Sequence, residues 1–189
     1  MEYKSEFTRI AMNNIHRNGL TDLLTWLETT DFYSAPASTR FHDSFECGLV
    51  FHSLNVYSHL MRLCKFYNID TSDESVAIVA LFHDICKVNC YKTELRWRKD
   101  NNNQWEQYPT YKFEEDYAFG GHGSKSVYLA QNFMKLTPDE ATAINCHMGV
   151  ENGKWEVLDA FRRNPLAFLL HTADMASTIE DLNLRKGDN

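Results

Sequence analysis

His83 and Asp84 lie side by side in the apolar run Val79-Ala-Leu-Phe-His-Asp-Ile-Cys-Lys87. A carboxylate in such surroundings is costly unless a cation or hydrogen bonds compensate it. Taken alone, the pair reads equally well as a His hydrogen-bonded to its neighbour. It is not alone, because His52 lies upstream, His122 and His147 follow, and Asp174 stands near the C-terminus. Imidazole and carboxylate converging from several helices suit a divalent cation of borderline hardness, with positions left for water. Consecutive helical residues point about 100° apart. His83 and Asp84 therefore share one ion only over a helix flank, and Asp84 can then bridge to a second. His122, at a Gly-flanked helix entrance, and His147, at a helix end before Gly149, suit ligands arriving from the opposite side of such a pocket.

The elements that must position these residues are mostly helical. Residues 5–18 and 21–30 read as two short helices, with Gly19 ending the first and Thr21 starting the second. Residues 31–48 lose helical periodicity and form an aromatic-rich loop. A helix over 49–67 carries His52, and Thr71 with Glu74 reads as a capping box for a helix over 73–87. Tyr91 to Arg98 then alternates with a period of two, Lys99-Asp-Asn-Asn-Asn103 reads as a turn, and Trp105 to Phe113 as the return strand. Further helices are expected over 123–135, 138–147 (with Pro138 at the first position), 155–163 and 165–182. The expectation is an all-α helical bundle with one inserted β-hairpin at about residues 91–113. It forms a single domain over 1–189, with residues 1–30 as N-terminal helices.

Bulk properties narrow the function. The chain has 189 residues, enough for one substantial core. A net charge of −7 argues against coating long nucleic acid. With no signal peptide and no apolar run long enough to span a bilayer, a cytoplasmic protein without a membrane partner is expected. The five cysteines lack paired-finger spacing, and reduced core thiols are the simpler reading. The oligomeric state is left open.

The ordered series His52, His83-Asp84, His122, His147, Asp174 resembles the HD metal-dependent hydrolase superfamily. Gly48-Leu-Val-Phe-His-Ser-Leu-Asn-Val56 is similar to a segment of bacterial and phage HD proteins, including the branch with 3′-to-5′ exoribonucleases, and Phe41-His42 also resembles that branch. His83-Asp-Ile-Cys-Lys87 resembles the family's His-Asp-Ile-Gly-Lys, with Cys86 in place of Gly, and Leu170-His-Thr-Ala-Asp174 resembles its closing motif. The likeness covers residues from about 41 to 178, without the first 30 or the hairpin. It implies that His52, His83, Asp84 and Asp174 hold one metal. His122 and His147 would hold a second, bridged by Asp84, the ions being Fe, Mn, Ni, Mg or Zn. His59 and His171 read as supporting or core residues, and His16 as surface.

The implied reaction is hydrolysis of a phosphate ester by a metal-activated water, with Asp84 and Lys87 as catalytic residues. Lys87, one turn beyond His83, projects to the same face, where its charge suits a phosphate oxygen. Arg40 and His42 are further candidates for binding substrate phosphate. On the hairpin, Lys92, Arg96, Arg98 and Lys99 interleave with Tyr91, Trp97, Trp105 and Tyr108, a pattern suited to a phosphate-and-base ligand. A hairpin with one packed aromatic face and one solvated charged face is the plainer alternative. The expected partner is a small phosphorylated, nucleotide-like substrate: a nucleotide, a cyclic (di)nucleotide or a short oligonucleotide. His-Asp-x-x-Lys departs from the His-Asp-x-x-Glu or Asp of the nucleotidase and alarmone branches, which favours a phosphodiester. Two other classes remain open at this level: an HD-type di-iron oxygenase, which shares the ligand set, and a non-catalytic metal-containing binding protein.

Overall fold

The computed structural model describes residues 2–39, 43–115, 119–150 and 155–187, with side chains followed as far as residue 179. Helices α1 (Glu2–Asn14) and α2 (Leu20–Glu28) come first, then a long loop. α3 (Gly48–Tyr67) and α4 (Asp73–Phe82) follow, then a 3-10 turn at Ile85–Lys87 and the hairpin β1 (Tyr91–Lys99) and β2 (Trp105–Phe113). α5 (His122–Gln131), α6 (Pro138–Cys146), α7 (Glu156–Arg163) and α8 (Pro165–Gly187) complete the fold. This is the expected helical bundle with one hairpin. Among the described residues, no helix is long and apolar enough to cross a membrane.

The two longest helices, α3 and α8, pack against each other, and α4 packs against α3. α4 is buried along its length from Val76 to Phe82, because apolar residues surround it on every face. Phe82 meets Phe7 of α1, which also packs edge-on against Phe32 of the long loop. The fully buried Glu140 of α6 accepts from Arg17 at 2.6 and 3.0 Å and from Ser75, pinning the α1–α2 connection to the bundle.

Several boundaries differ from the sequence expectation. The helix expected over 73–87 stops at Phe82, and Asp84 leaves helical geometry at φ −113°, ψ 16°. The α4 cap is Ser72, whose Oγ accepts from Ser75 N at 3.0 Å, and not a Thr71–Glu74 box. Glu74 instead bonds Arg17 and the His16 amide. Gly19 opens α2 and does not close α1. It has φ +91°, and a Cβ there would lie 1.9 Å from the Phe133 carbonyl oxygen. α6 carries the full Thr137–Glu140 capping box with Pro138 in its first turn.

The hairpin pairs Tyr91 with Phe113 and Lys99 with Trp105. Its turn is closed by the Asp100 carboxylate, which accepts from the Asn102 and Gln104 amides. At its base Tyr91 Oη donates to the Ala37 carbonyl at 2.9 Å and Phe113 packs edge-on against the His122 ring, so the insert is rooted beside the His83-Asp84 turn. Its outer end carries Leu95, Trp97 and Trp105, each more than half exposed.

Candidate metal centre

Five of the six expected ligands meet in one buried cluster. His52 comes from α3, His83 and Asp84 from the end of α4, His147 from the end of α6 and Asp174 from α8. Ligand atoms of His52, His83 and Asp84, and of His83, His147 and Asp174, form two groups, each within 4.8 Å of one another. The break in the helix after Phe82 allows this. Released from helical geometry, Asp84 turns its carboxylate to the side on which His83 projects.

The imidazoles are oriented by their outer nitrogens. His83 Nδ1 donates to the Ala80 carbonyl at 2.8 Å, and His147 Nδ1 to the Ile144 carbonyl at 2.7 Å. A carbonyl only accepts, so Nδ1 carries the proton in both rings and Nε2 presents a lone pair. His52 Nδ1 is likewise held as a donor, through side chains. Ser177 Oγ donates to the Asp174 carbonyl at 2.7 Å and so faces His52 Nδ1, 3.2 Å away, as an acceptor. The fully buried Asp43 carboxylate lies 3.3 Å from the same nitrogen. This outer hold on metal-binding histidines fixes both tautomer and ring direction.

The inner nitrogens crowd around Asp84. Its Oδ2 faces His83 Nε2 at 3.5 Å, His52 Nε2 at 3.7 Å and Lys87 Nζ at 2.7 Å. Its Oδ1 faces His147 Nε2 at 3.5 Å. His52 Nε2 also lies 3.1 Å from Asp174 Oδ1 and 3.3 Å from His83 Nε2. His147 Nε2 is buried without a hydrogen-bond partner among the described residues. A buried imidazole lone pair with no donor, beside the Asp84 and Asp174 carboxylates, calls for a cation. The donor set of imidazoles and carboxylates therefore fits divalent metal.

Electrostatics follow from these contacts. Burial pushes Asp84 upward, but Lys87, His83 and His147 hold it well below the usual carboxylate range. Asp174 is likewise depressed, burial being overcome by His52, His83 and His147. Burial also pulls His52 down, yet the Asp174 and Asp43 carboxylates hold it at about 9. His83, dominated by burial, falls to about 4. Without metal, a proton on His52 Nε2 thus occupies the gap between His83 and Asp174.

Other expected residues stand differently. His122 lies outside both ligand groups; its Nδ1 faces Cys86 Sγ at 3.6 Å. Lys87 is at the centre, but bound to Asp84 and to the Ala37 carbonyl at 2.9 Å. Arg96 and Arg98 lie on the exposed hairpin and are paired, Arg96 with Glu94 at 2.5 Å and Arg98 with Glu106 at 2.7 Å. Arg40 and His42 lie outside the described residues. His171 has a supporting role, as its Nδ1 lies 2.6 Å from the His147 carbonyl oxygen and its ring fills the space where a Gly149 Cβ would sit.

Asp43 and Ser177 are absent from the sequence reading. Asp43 follows His42, so the chain carries a second His-Asp dipeptide nine residues before His52. Ser177 lies one turn after Asp174 on α8. The dipeptide and the i, i+3 spacing are the sequence signals; the burial that brings Asp43 to His52 is not among them.

No curated protein and no solved structure matches this chain. The HD domain family does match, over residues 49–186, well over half of the sequence and spanning every candidate ligand from His52 to Asp174. With that match, and with the His-Asp pair at the centre of a buried imidazole and carboxylate cluster, the chain belongs to the HD-domain superfamily of metal-dependent phosphohydrolases.

Proposed function

We propose that the protein hydrolyses a phosphate ester, specifically a phosphodiester of a nucleotide, a cyclic (di)nucleotide or a short oligonucleotide. The observation that supports this most is the position of Asp84, whose two oxygens face different histidines, Oδ2 toward His52 and His83 and Oδ1 toward His147. That is the arrangement a carboxylate bridging two ions requires. Divalent cations held there would lower the pKa of an attacking water and offset charge growing on the phosphoryl oxygens.

The chain's own groups have separate tasks. His52, His83, Asp84 and Asp174 form one side of the centre. His147, with His122 drawn in from the N-terminus of α5, forms the other. The Nδ1 partners keep the rings aligned, which limits reorganisation when ligands exchange. Lys87 Nζ has three N–H groups. Two are directed at Asp84 and Ala37, and the third is available to a phosphoryl oxygen. On the hairpin the arginines are already neutralised by Glu94 and Glu106. The exposed apolar face of Leu95, Trp97 and Trp105 is then the better candidate for stacking a base.

The test is metal analysis of the purified chain, followed by a phosphate-ester panel with Mn, Mg, Ni and Fe(II) and a chelator control. The reading expects metal-dependent release from phosphodiesters. Oxygen consumption with Fe(II) and no ester cleavage would move the protein to the oxygenase class.

A further inference from the structure

We propose that Cys86 is a metal ligand, its thiolate joining Asp84 Oδ1, His147 and His122 around the second cation. This rests on the two-metal reading above and adds to it a donor that sets which metals the second position accepts.

Cys86 is fully buried on the 3-10 turn two residues after Asp84. Its sulfur does not face the apolar core as Cys64 does, nor backbone carbonyls as Cys90 does. It lies 3.6 Å from His122 Nδ1 and 4.0 Å from Asp84 Oδ1. The same Oδ1 lies 3.5 Å from His147 Nε2, the buried ring nitrogen without a hydrogen bond among the described residues. Cys86 and His147 therefore flank the same oxygen of Asp84, His147 with a ring nitrogen that has no hydrogen bond among the described residues, and His122 adjoins Cys86.

The spacing suits coordination. With metal–sulfur bonds near 2.3 Å and metal–nitrogen bonds near 2.1 Å, tetrahedral ligand atoms stand about 3.6 Å apart. The Cys86–His122 separation has that value, and the Cys86–Asp84 separation corresponds to a wider angle. The sulfur is held in place, because the Cys86 amide donates to Ser126 Oγ at 3.2 Å. Ser126 lies on α5, the helix that begins with His122, so the same hydrogen bond sets the distance between the two proposed ligands.

On binding, the S–H bond breaks, its proton passes to solvent and the electron pair forms the metal–sulfur bond. A soft thiolate favours Zn, Fe(II) or Co over Mg. The opposite face, built from His52, His83, Asp84 and Asp174, has only nitrogen and oxygen donors. The two positions should therefore differ in metal preference, with Mg failing to compete at the Cys86 side.

The test is titration of the metal-free full chain with Co(II), followed by absorption spectroscopy. The expected result is a near-ultraviolet sulfur-to-cobalt charge-transfer band that is lost in Cys86→Ser and kept in Cys90→Ser, while visible bands of the remaining cobalt persist in both. Cadmium NMR of the wild-type chain gives a second readout that does not depend on a variant folding, since sulfur ligation moves the cadmium resonance. Two bound cobalt ions without the band, or a band that survives Cys86→Ser, would overturn the assignment while leaving the two-metal reading intact. No cobalt uptake by the wild-type chain would overturn both.

Discussion

Lys87 Nζ lies 2.7 Å from Asp84 Oδ2, an ion pair almost closed to solvent, and the same nitrogen donates to the Ala37 carbonyl. Tyr91 Oη donates to that carbonyl as well, so the lysine is fixed between the metal cluster and the base of the hairpin. Burial alone would lower the Lys87 pKa, but the Asp84 carboxylate more than reverses this and keeps the group charged.

Replacing Lys87 by Met separates its two possible tasks. A phosphate-binding lysine predicts kcat lower by about 100-fold, in the range expected for loss of one transition-state donor, with metal content unchanged. Metal analysis beside steady-state kinetics checks this. Loss of metal from Lys87→Met would make the lysine a support for Asp84 and remove it from substrate binding.

Asp43 acts on the centre through His52. Asp43→Asn removes the charge 3.3 Å from His52 Nδ1 and should weaken metal binding by about 10–100-fold. Chelator competition measures it. At saturating metal, kcat should stay near the wild-type value, because Asp43 does not reach Nε2. Unchanged affinity would show that Ser177 alone orients the ring.

Gly48 tests the same loop through packing. A Cβ at Gly48 would lie 1.9 Å from the Asp43 carbonyl oxygen and 3.1 Å from the Ala37 amide nitrogen. Gly48→Ala should therefore destabilise the fold by about 1–3 kcal/mol and displace Asp43 from His52. Thermal unfolding should show a lower Tm together with weaker metal binding. An unchanged Tm would mean that the loop moves aside freely.

Metal binding should depend on pH through His52. Its folded pKa of about 9 lies above the ordinary 6.5, so in the metal-free protein its charged contacts stabilise fully below 6.5, an effect lost as pH rises through 9. Metal needs the deprotonated Nε2, so its affinity runs the other way. Apparent affinity should climb by up to about tenfold per pH unit from 6.5 to 9. A flat profile in that window would place the metal away from His52.

Much of this was legible in sequence. The hairpin shows in the period-two alternation of Tyr91 to Arg98 and in the Asp100-Asn-Asn-Asn103 turn, because strand side chains alternate faces. α6 shows in Thr137-Pro138-Asp139-Glu140, since each of those residues satisfies a helix start on its own. The break after Phe82 was not legible, because Asp84-Ile-Cys-Lys87 continues the apolar run and only tertiary contacts turn it into a 3-10 segment. Asp43 sits in a loop without periodicity, where burial follows from the Ala37 amide donating to the Asp43 carbonyl. The pairing of Arg98 with Glu106 was hidden for a different reason: Glu106 lies on the facing strand, and its register depends on the turn.

The central claim is that Asp84 bridges two cations, and anomalous diffraction from crystals of the metal-loaded chain tests it most directly. The account predicts two anomalous peaks about 3.5–4 Å apart, one beside His52 and His83 and the other beside His147, with Asp84 between them. A single peak at full metal occupancy, or two peaks with Asp84 bound to neither or only one, would contradict it.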